Sequence, residues 1–276
     1  MADGVHISTG NLLDAAELAS AVVLKRAPNG VRYASFGDTK LADHELDRVV
    51  QAVPNIVAAA MKARAFYFVP LAMPEGFGAE ANAAKPEAHR TASDRTLVSP
   101  IYTSELSDEA ICHRNVAVGA SAAEPAHEGV FISARLLRDQ FALAFEFFIN
   151  VGHAFAAEAG IPEAFTALSW AQATADVRGE TSQDAWEARA QAIAGTNGDK
   201  SIPDEKAKIE FFESAFADAI AIYLLSLAVD FDYSELRERE YPLLAPTALA
   251  DRLRLMAHLF PPNAGYEFSI RYRRRA

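Results

Sequence analysis

Glu146, Asn150 and His153 fall at i, i+4 and i+7 along FALAFEFFINVGHAF, residues 141–155. On a helix that spacing puts all three on one stripe of an otherwise apolar rod. A carboxylate, an amide and an imidazole so aligned are the raw material of acid–base or metal chemistry. They equally make a buried hydrogen-bonded network, which demands partners from another element because unpaired buried polar groups are costly. Natural partners are Glu213 and Asp218 in IEFFESAFADA, residues 209–219. The bland reading of each is a core histidine and solvated carboxylates. The Phe141, Phe145, Phe148, Phe155 series reads as core packing.

Three segments must position these residues. The first, residues 1–73, mixes helix and strand. Ser8 or Thr9 caps a helix carrying Leu12, Leu13, Ala16 and Ala19. VVLKR and VRYASF flank Asn29-Gly30, a hairpin signal. A helix starts at Asp43, with Pro54 restarting or kinking it, and AFYFVPLAM reads as a buried strand. Residues 74–99, rich in Ala, Glu, Pro and Gly, read as a surface loop. In residues 100–276, strands are expected around 98–102, 115–118 and 130–133, with a short helix over 104–111. The helical part runs from Leu136: a first helix ending at Gly160, then 162–177, 182–193, a long one from Pro203 through Val229, 234–241 and 246–260. YEFSIRYR reads as an edge strand. The expected fold class is α+β, a small N-terminal mixed or antiparallel sheet with helices followed by a mainly helical half, with one continuous domain as the alternative to separate segments.

Two of these segments resemble the zincin metallopeptidases, in particular gluzincins of the lethal-factor type. In that family a strand leads into a helix carrying H-E-x-x-H; its histidines bind zinc and its glutamate activates the metal-bound water. Here GVFISARLL precedes the helix, and Ile149-Asn150-Val151-Gly152-His153-Ala154-Phe155 is similar to the form H-E-x-G-H-A-F. Gly152 and His153 match. Ile149 stands in place of the first histidine and Asn150 in place of the glutamate. Residues 210–219 resemble the helix of the third ligand. On that match Glu213 is the nearest candidate for the zinc-binding carboxylate and Asp218 for the supporting acid, with the register open by about a residue.

The departures change what the resemblance implies. Isoleucine has no lone pair for a metal, and asparagine does not take a proton from water as a carboxylate does. No confident catalytic residue remains; Glu146, Asn150 and His153 are candidates for a vestigial site, and His153, Glu213 and Asp218 for a residual metal site. The resemblance then implies a zincin-like protein without peptidase activity, acting by binding or regulation on an unidentified protein or peptide, with no cofactor expected. One alternative is an active metal-dependent hydrolase, holding zinc in a rearranged site that also uses Glu146. The other is a structural or interaction protein of unrelated α+β fold.

Other features narrow the field. The 276 residues carry a formal net charge of −11, which repels nucleic acid. The basic end, Arg271 and Arg273 to Arg275, reads as solvated. The single cysteine, Cys112, forms no internal disulfide, no basic-then-apolar leader opens the chain, and apolar stretches are interrupted by charge. A cytoplasmic protein without membrane contact is expected. Cys112-His113 is a poor catalytic pair, because neighbours on a strand point apart. His127-Glu128 reads as a loop, Asn150-x-x-His153 is a distant imitation of a di-iron motif, and P-loop, dinucleotide and G-x-S-x-G signatures are missing.

Overall fold

A computed structural model describes residues 12–75, 95–121, 124–195, 203–231 and 241–270. The fold is α+β, and its contacts divide it into two units: residues 1–50 with 62–146, and residues 51–61 with 147–276.

The first unit is built on a five-stranded sheet. Its strands are β2 (Lys25–Arg26), β3 (Arg32–Ser35), β4 (Arg64–Val69), β7 (His113–Val118) and β8 (His127–Ser133), in the order β2-β3-β4-β8-β7. The inner pairs β3–β4 and β4–β8 are parallel, with Phe66 opposite both Tyr33 and Val130; the outer pairs are antiparallel. Residues 65–69 of β4 are buried without alternation, as expected of a strand covered on both faces. The edge strand β7 alternates between more and less exposed positions. The hairpin signal is met: Gly30 takes φ +92° between β2 and β3. A second, antiparallel sheet has the order β1 (Leu13–Asp14), β6 (Thr96–Ser99), β5 (Leu71–Pro74).

Among the described residues this unit also holds α1 (Ala15–Ala21), α2 (Asp43–Gln51, whose last residue falls in the second unit), the short α4 (Ser104–Ser107) and the first turns of a helix that continues into the second unit. The first helix begins later than the sequence suggests. Asp14, not Ser8 or Thr9, caps it, accepting from the Ala16 and Glu17 amides; Ser8 and Thr9 lie outside the described residues, and Leu13 belongs to β1. Ala15, Leu18 and Ala19 of α1 pack with Tyr67, Val69 and Phe131 of the sheet.

The second unit is helical. It holds α3 (Asn55–Ala58), most of α5 (Gln140–Ala159), α6 (Glu163–Thr174), α7 (Gln183–Ala194), α8 (Glu205–Ala228) and α9 (Pro246–Leu259). Of the expected helix ends, the one at Gly160 holds, whereas α8 starts at Glu205, two residues after Pro203. Gly160 closes α5 at φ +72°, Ser182 caps α7 onto the Ala185 amide, and Asp204 caps α8 onto Lys206 and Ala207. Phe155, Phe165, Phe216 and Phe260 interlock, with ring centroids 5.1–6.3 Å apart, at the centre. The Asn263 side chain ties down the early segment of this unit: its amide donates to the Gln51 and Val53 carbonyls, and its oxygen accepts from the Asn55 amide.

Helix α8 is long and apolar enough to cross a membrane, but 78% of its most apolar stretch is buried by the protein itself, as in the core helix of a soluble protein. The expected C-terminal edge strand does not form over residues 261–270, which have no strand. Instead Phe268 packs edge-on against Tyr223 at 5.4 Å and is half-buried, so part of its apolar surface is covered without a backbone ladder. The helix expected at 234–241 lies almost wholly outside the described residues, as do Arg271 and Arg273 to Arg275.

Candidate functional site

The two segments that carry the resemblance meet in the second unit. Gly152 of α5 lies against the backbone of α8: a Cβ built on it would stand 2.4 Å from the Ala217 carbonyl oxygen. Only a glycine lets the helices approach so closely there. One residue further along each helix, His153 acts electrostatically on the Asp218 carboxylate. His153 is exposed and Asp218 buried, so this corner has a wet side and a dry side.

Asp218 is held from several directions. The Thr181 hydroxyl donates to its Oδ2 at 2.8 Å, and Ser182 adds a second hydrogen bond. Burial pushes its carboxyl up from the ordinary value, while those bonds, His153 and Arg252 pull it down; burial is the largest effect and wins. Glu213, the first choice for a ligand, is exposed. Five residues on a helix turn through about 140°, so Glu213 and Asp218 cannot face the same neighbour. Of the two, Asp218 is the carboxylate on which His153 acts.

The raised Asp218 carboxyl has a pH consequence. A carboxyl with a folded pKa above its unfolded value stabilises the fold fully below the unfolded value, and that contribution is lost as pH rises through the folded value. Asp218→Asn removes the titration and keeps an oxygen to accept from Thr181. The melting temperature of the variant, relative to wild type, should therefore be higher at about pH 7 than at about pH 4. A difference that is the same at both pH values would refute this account.

The stripe on α5 does not close into one buried network. Asn150 is half-buried and His153 is exposed. Glu146, in the first unit, accepts from His113 Nδ1 on β7, a partner outside the expected helix. Cys112 lies near the same carboxylate; partial burial and Glu146 push its thiol up, opposite to what a nucleophilic thiolate requires. His127 is a core residue at the start of β8, bonded to the Tyr67 hydroxyl and the Pro125 carbonyl, each at 2.9 Å.

The donor set does not fit zinc. Ile149 offers no ligand atom, leaving His153 and Asp218, and the Asp218 oxygen is engaged by Thr181. Among the described residues no three His, Cys, Asp or Glu side chains converge as a metal site needs.

Next to Asp218 lies a feature that the sequence did not disclose. Glu180 and Arg252 are both fully buried and form a fork: Nη1 to Oε2 at 2.9 Å and Nη2 to Oε1 at 3.2 Å. Arg252 Nε donates to Gln172 at 2.8 Å, and Gln172 donates on to the Ala248 carbonyl. Buried Arg189 joins Glu180 at 3.4 Å and bonds the Gly179 and Ala173 carbonyls. The signal available was thin: Glu180 sits between helices, and each arginine lies on a helix that also carries other charges.

Comparison of the chain with protein-family models finds no match, and comparison with curated proteins finds none either.

Proposed function

We propose that this chain is a zincin-like protein that has lost peptidase chemistry and acts by binding a protein or peptide, as a cytoplasmic regulator. The observation that carries this reading is the close seating of Gly152 on Ala217, with His153 and Asp218 each one residue further along and His153 acting electrostatically on that carboxylate. It supports the pairing of the two segments that the family resemblance joins, with Ile149 and Asn150 at the positions where a peptidase needs a ligand and a base. The loss of function follows from chemistry. Two candidate donors, one of them committed to a hydroxyl, make a poor zinc site, and an amide is no general base.

The test restores what is missing. Ile149→His with Asn150→Glu places two imidazoles four residues apart on one helix face, and Asp218 becomes the third ligand once zinc displaces the Thr181 hydroxyl from it. Purified without chelators, wild type should carry substoichiometric zinc by elemental analysis. The double variant should carry close to one zinc per chain. A variant that keeps its helical circular dichroism yet stays free of zinc argues for an unrelated α+β fold. Stoichiometric metal in wild type, lost in His153→Ala, argues instead for a working hydrolase with a rearranged site.

A further inference from the structure

The first unit contains a cleft of about 450 Å³ that the zincin-like reading does not use. It opens beyond the carboxyl ends of the parallel strands β3 and β8, between the loops that follow them and the helices α2 and α5. Carboxyl ends of parallel strands are where loops of α/β sheets gather to hold ligands. The volume lies in the range of small-molecule sites.

The walls divide by chemistry. Leu46 and Val49 of α2, with Leu137 and Leu143, give an apolar floor. Lys40, Arg135 and Arg138 line the same cleft, a concentration of cations in a chain of net charge −11. Arg135 is fixed in place: Nη1 donates to the Asp38 carbonyl at 3.1 Å and to Asp38 Oδ2 at 3.4 Å, and its guanidinium lies over the Tyr102 ring at 5.1 Å. Lys40 is paired with Asp38 at 2.9 Å. Among the described residues the Arg138 side chain has no hydrogen-bond or ion-pair partner, and neither does that of Glu45.

The loop carrying Lys40 is held in an unusual shape. Gly37 takes φ +76° and a Cβ there would meet the Pro100 carbonyl oxygen at 2.6 Å; Asp38 N–H donates to that same carbonyl at 2.8 Å. Lys40 itself has φ +58°, a conformation that side-chain-bearing residues avoid. Such backbone outliers cluster where a fold presents groups to a ligand. The amino end of α5 is not what recruits an anion here, because Asp139 already caps it onto the Ala142 amide at 2.6 Å.

We infer that this cleft binds a carboxylate with an apolar body, the carboxylate on Arg138 and Arg135 and the body on Leu46, Val49 and Leu143. Glu45 and Asp139 stand in the walls and Asp38 already pairs with Lys40 and Arg135, so among the described residues Arg138 is the one lining cation left wholly to a ligand. That balance suits a monoanion or a zwitterion and repels a doubly charged phosphate. Glu45 gives an ammonium a partner, so an apolar amino acid is the zwitterionic member of the class.

The test is a titration of the full chain, followed by amide chemical shifts, with 3-phenylpropanoate, phenylalanine, 3-phenylpropanamide and inorganic phosphate. The proposal predicts saturable shifts at residues 38–46 and 134–143 with 3-phenylpropanoate, phenylalanine or both, and none with the amide or with phosphate. The tighter of the two carboxylates tells whether Glu45 contributes. In Arg138→Ala, an exposed position that the fold does not depend on, affinity should fall about tenfold, the effect of one charge-assisted hydrogen bond. Failure of both carboxylates to bind, equal binding of the amide, tighter binding of phosphate, or an unchanged affinity in Arg138→Ala would each overturn it. None of these results bears on the zinc test, because the cleft shares no residue with His153 or Asp218.

Discussion

Arg252→Met should destabilise the protein by about 3–5 kcal/mol, the usual result of breaking a buried ion pair from one side. Arg252 is fully buried and holds both oxygens of an equally buried carboxylate, Glu180. Its Nε also satisfies Gln172, and its guanidinium lies 5.9 Å from the Phe165 ring. Methionine fills much of the volume but returns none of the hydrogen bonds. Glu180 is then left in a dry site with a single longer bond to Arg189, at 3.4 Å. Desolvation of that carboxylate, more than the lost attraction, sets the size of the effect. The double variant Arg252→Met with Glu180→Gln should recover part of the loss, because no buried carboxylate is left facing a missing cation; Arg189 loses its charge partner but keeps its two carbonyl partners, so recovery stays incomplete. Urea unfolding of the two single variants and the double variant measures this. A single-variant loss under about 1 kcal/mol, the range of surface ion pairs, would show that the network is open to water.

Gly152→Ala should also destabilise, against the helical trend. In an exposed helix the change from glycine to alanine gains about 1 kcal/mol. Here the new methyl would stand 2.4 Å from a carbonyl oxygen and 3.1 Å from the carbonyl carbon of Ala217. Both are backbone atoms, so no side chain can swing aside, and α5 must part from α8. Overpacking of this kind costs about 1–3 kcal/mol and more where nothing relaxes. Separating the helices also moves His153 away from Asp218. Gly119→Ala is the matching control, since a methyl there meets nothing within 4 Å. Equal melting temperatures for Gly152→Ala and Gly119→Ala would mean that the helix contact is loose.

Helix ends are more legible in the sequence than tertiary partners, for a physical reason, although α8 starts two residues after the expected Pro203. Ser182, Asp204 and Gly160 act on amides and carbonyls within a few residues, so their effect is written locally. The close approach of α5 and α8 was half legible, because the glycine in N-V-G-H and the alanine before Asp218 fit it. The choice between Glu213 and Asp218 was not, since both are acidic and only the rotation of α8 separates exposed from buried. Glu146 reads as part of a helical stripe, yet its partner His113 comes from β7, 33 residues earlier. Glu180, Arg189 and Arg252 carry no periodic signature: a charged residue on an alanine-rich helix looks solvated until another chain segment covers it. YEFSIRYR alternates as a strand does, but alternation records which side chains want cover and not whether a backbone partner exists.

Asn263 sets a schedule for synthesis. Its bonds to Asn55, Val53 and Gln51 span 208, 210 and 212 residues. At roughly 5–20 residues per second on the ribosome, the segment around Pro54 waits roughly 10–40 s for the asparagine that fastens it. Throughout that interval an apolar stretch with Val53, Val57 and Met61 has left the exit tunnel without its permanent cover. Nascent chains halted before residue 263 should therefore be the ones that a chaperone or protease captures.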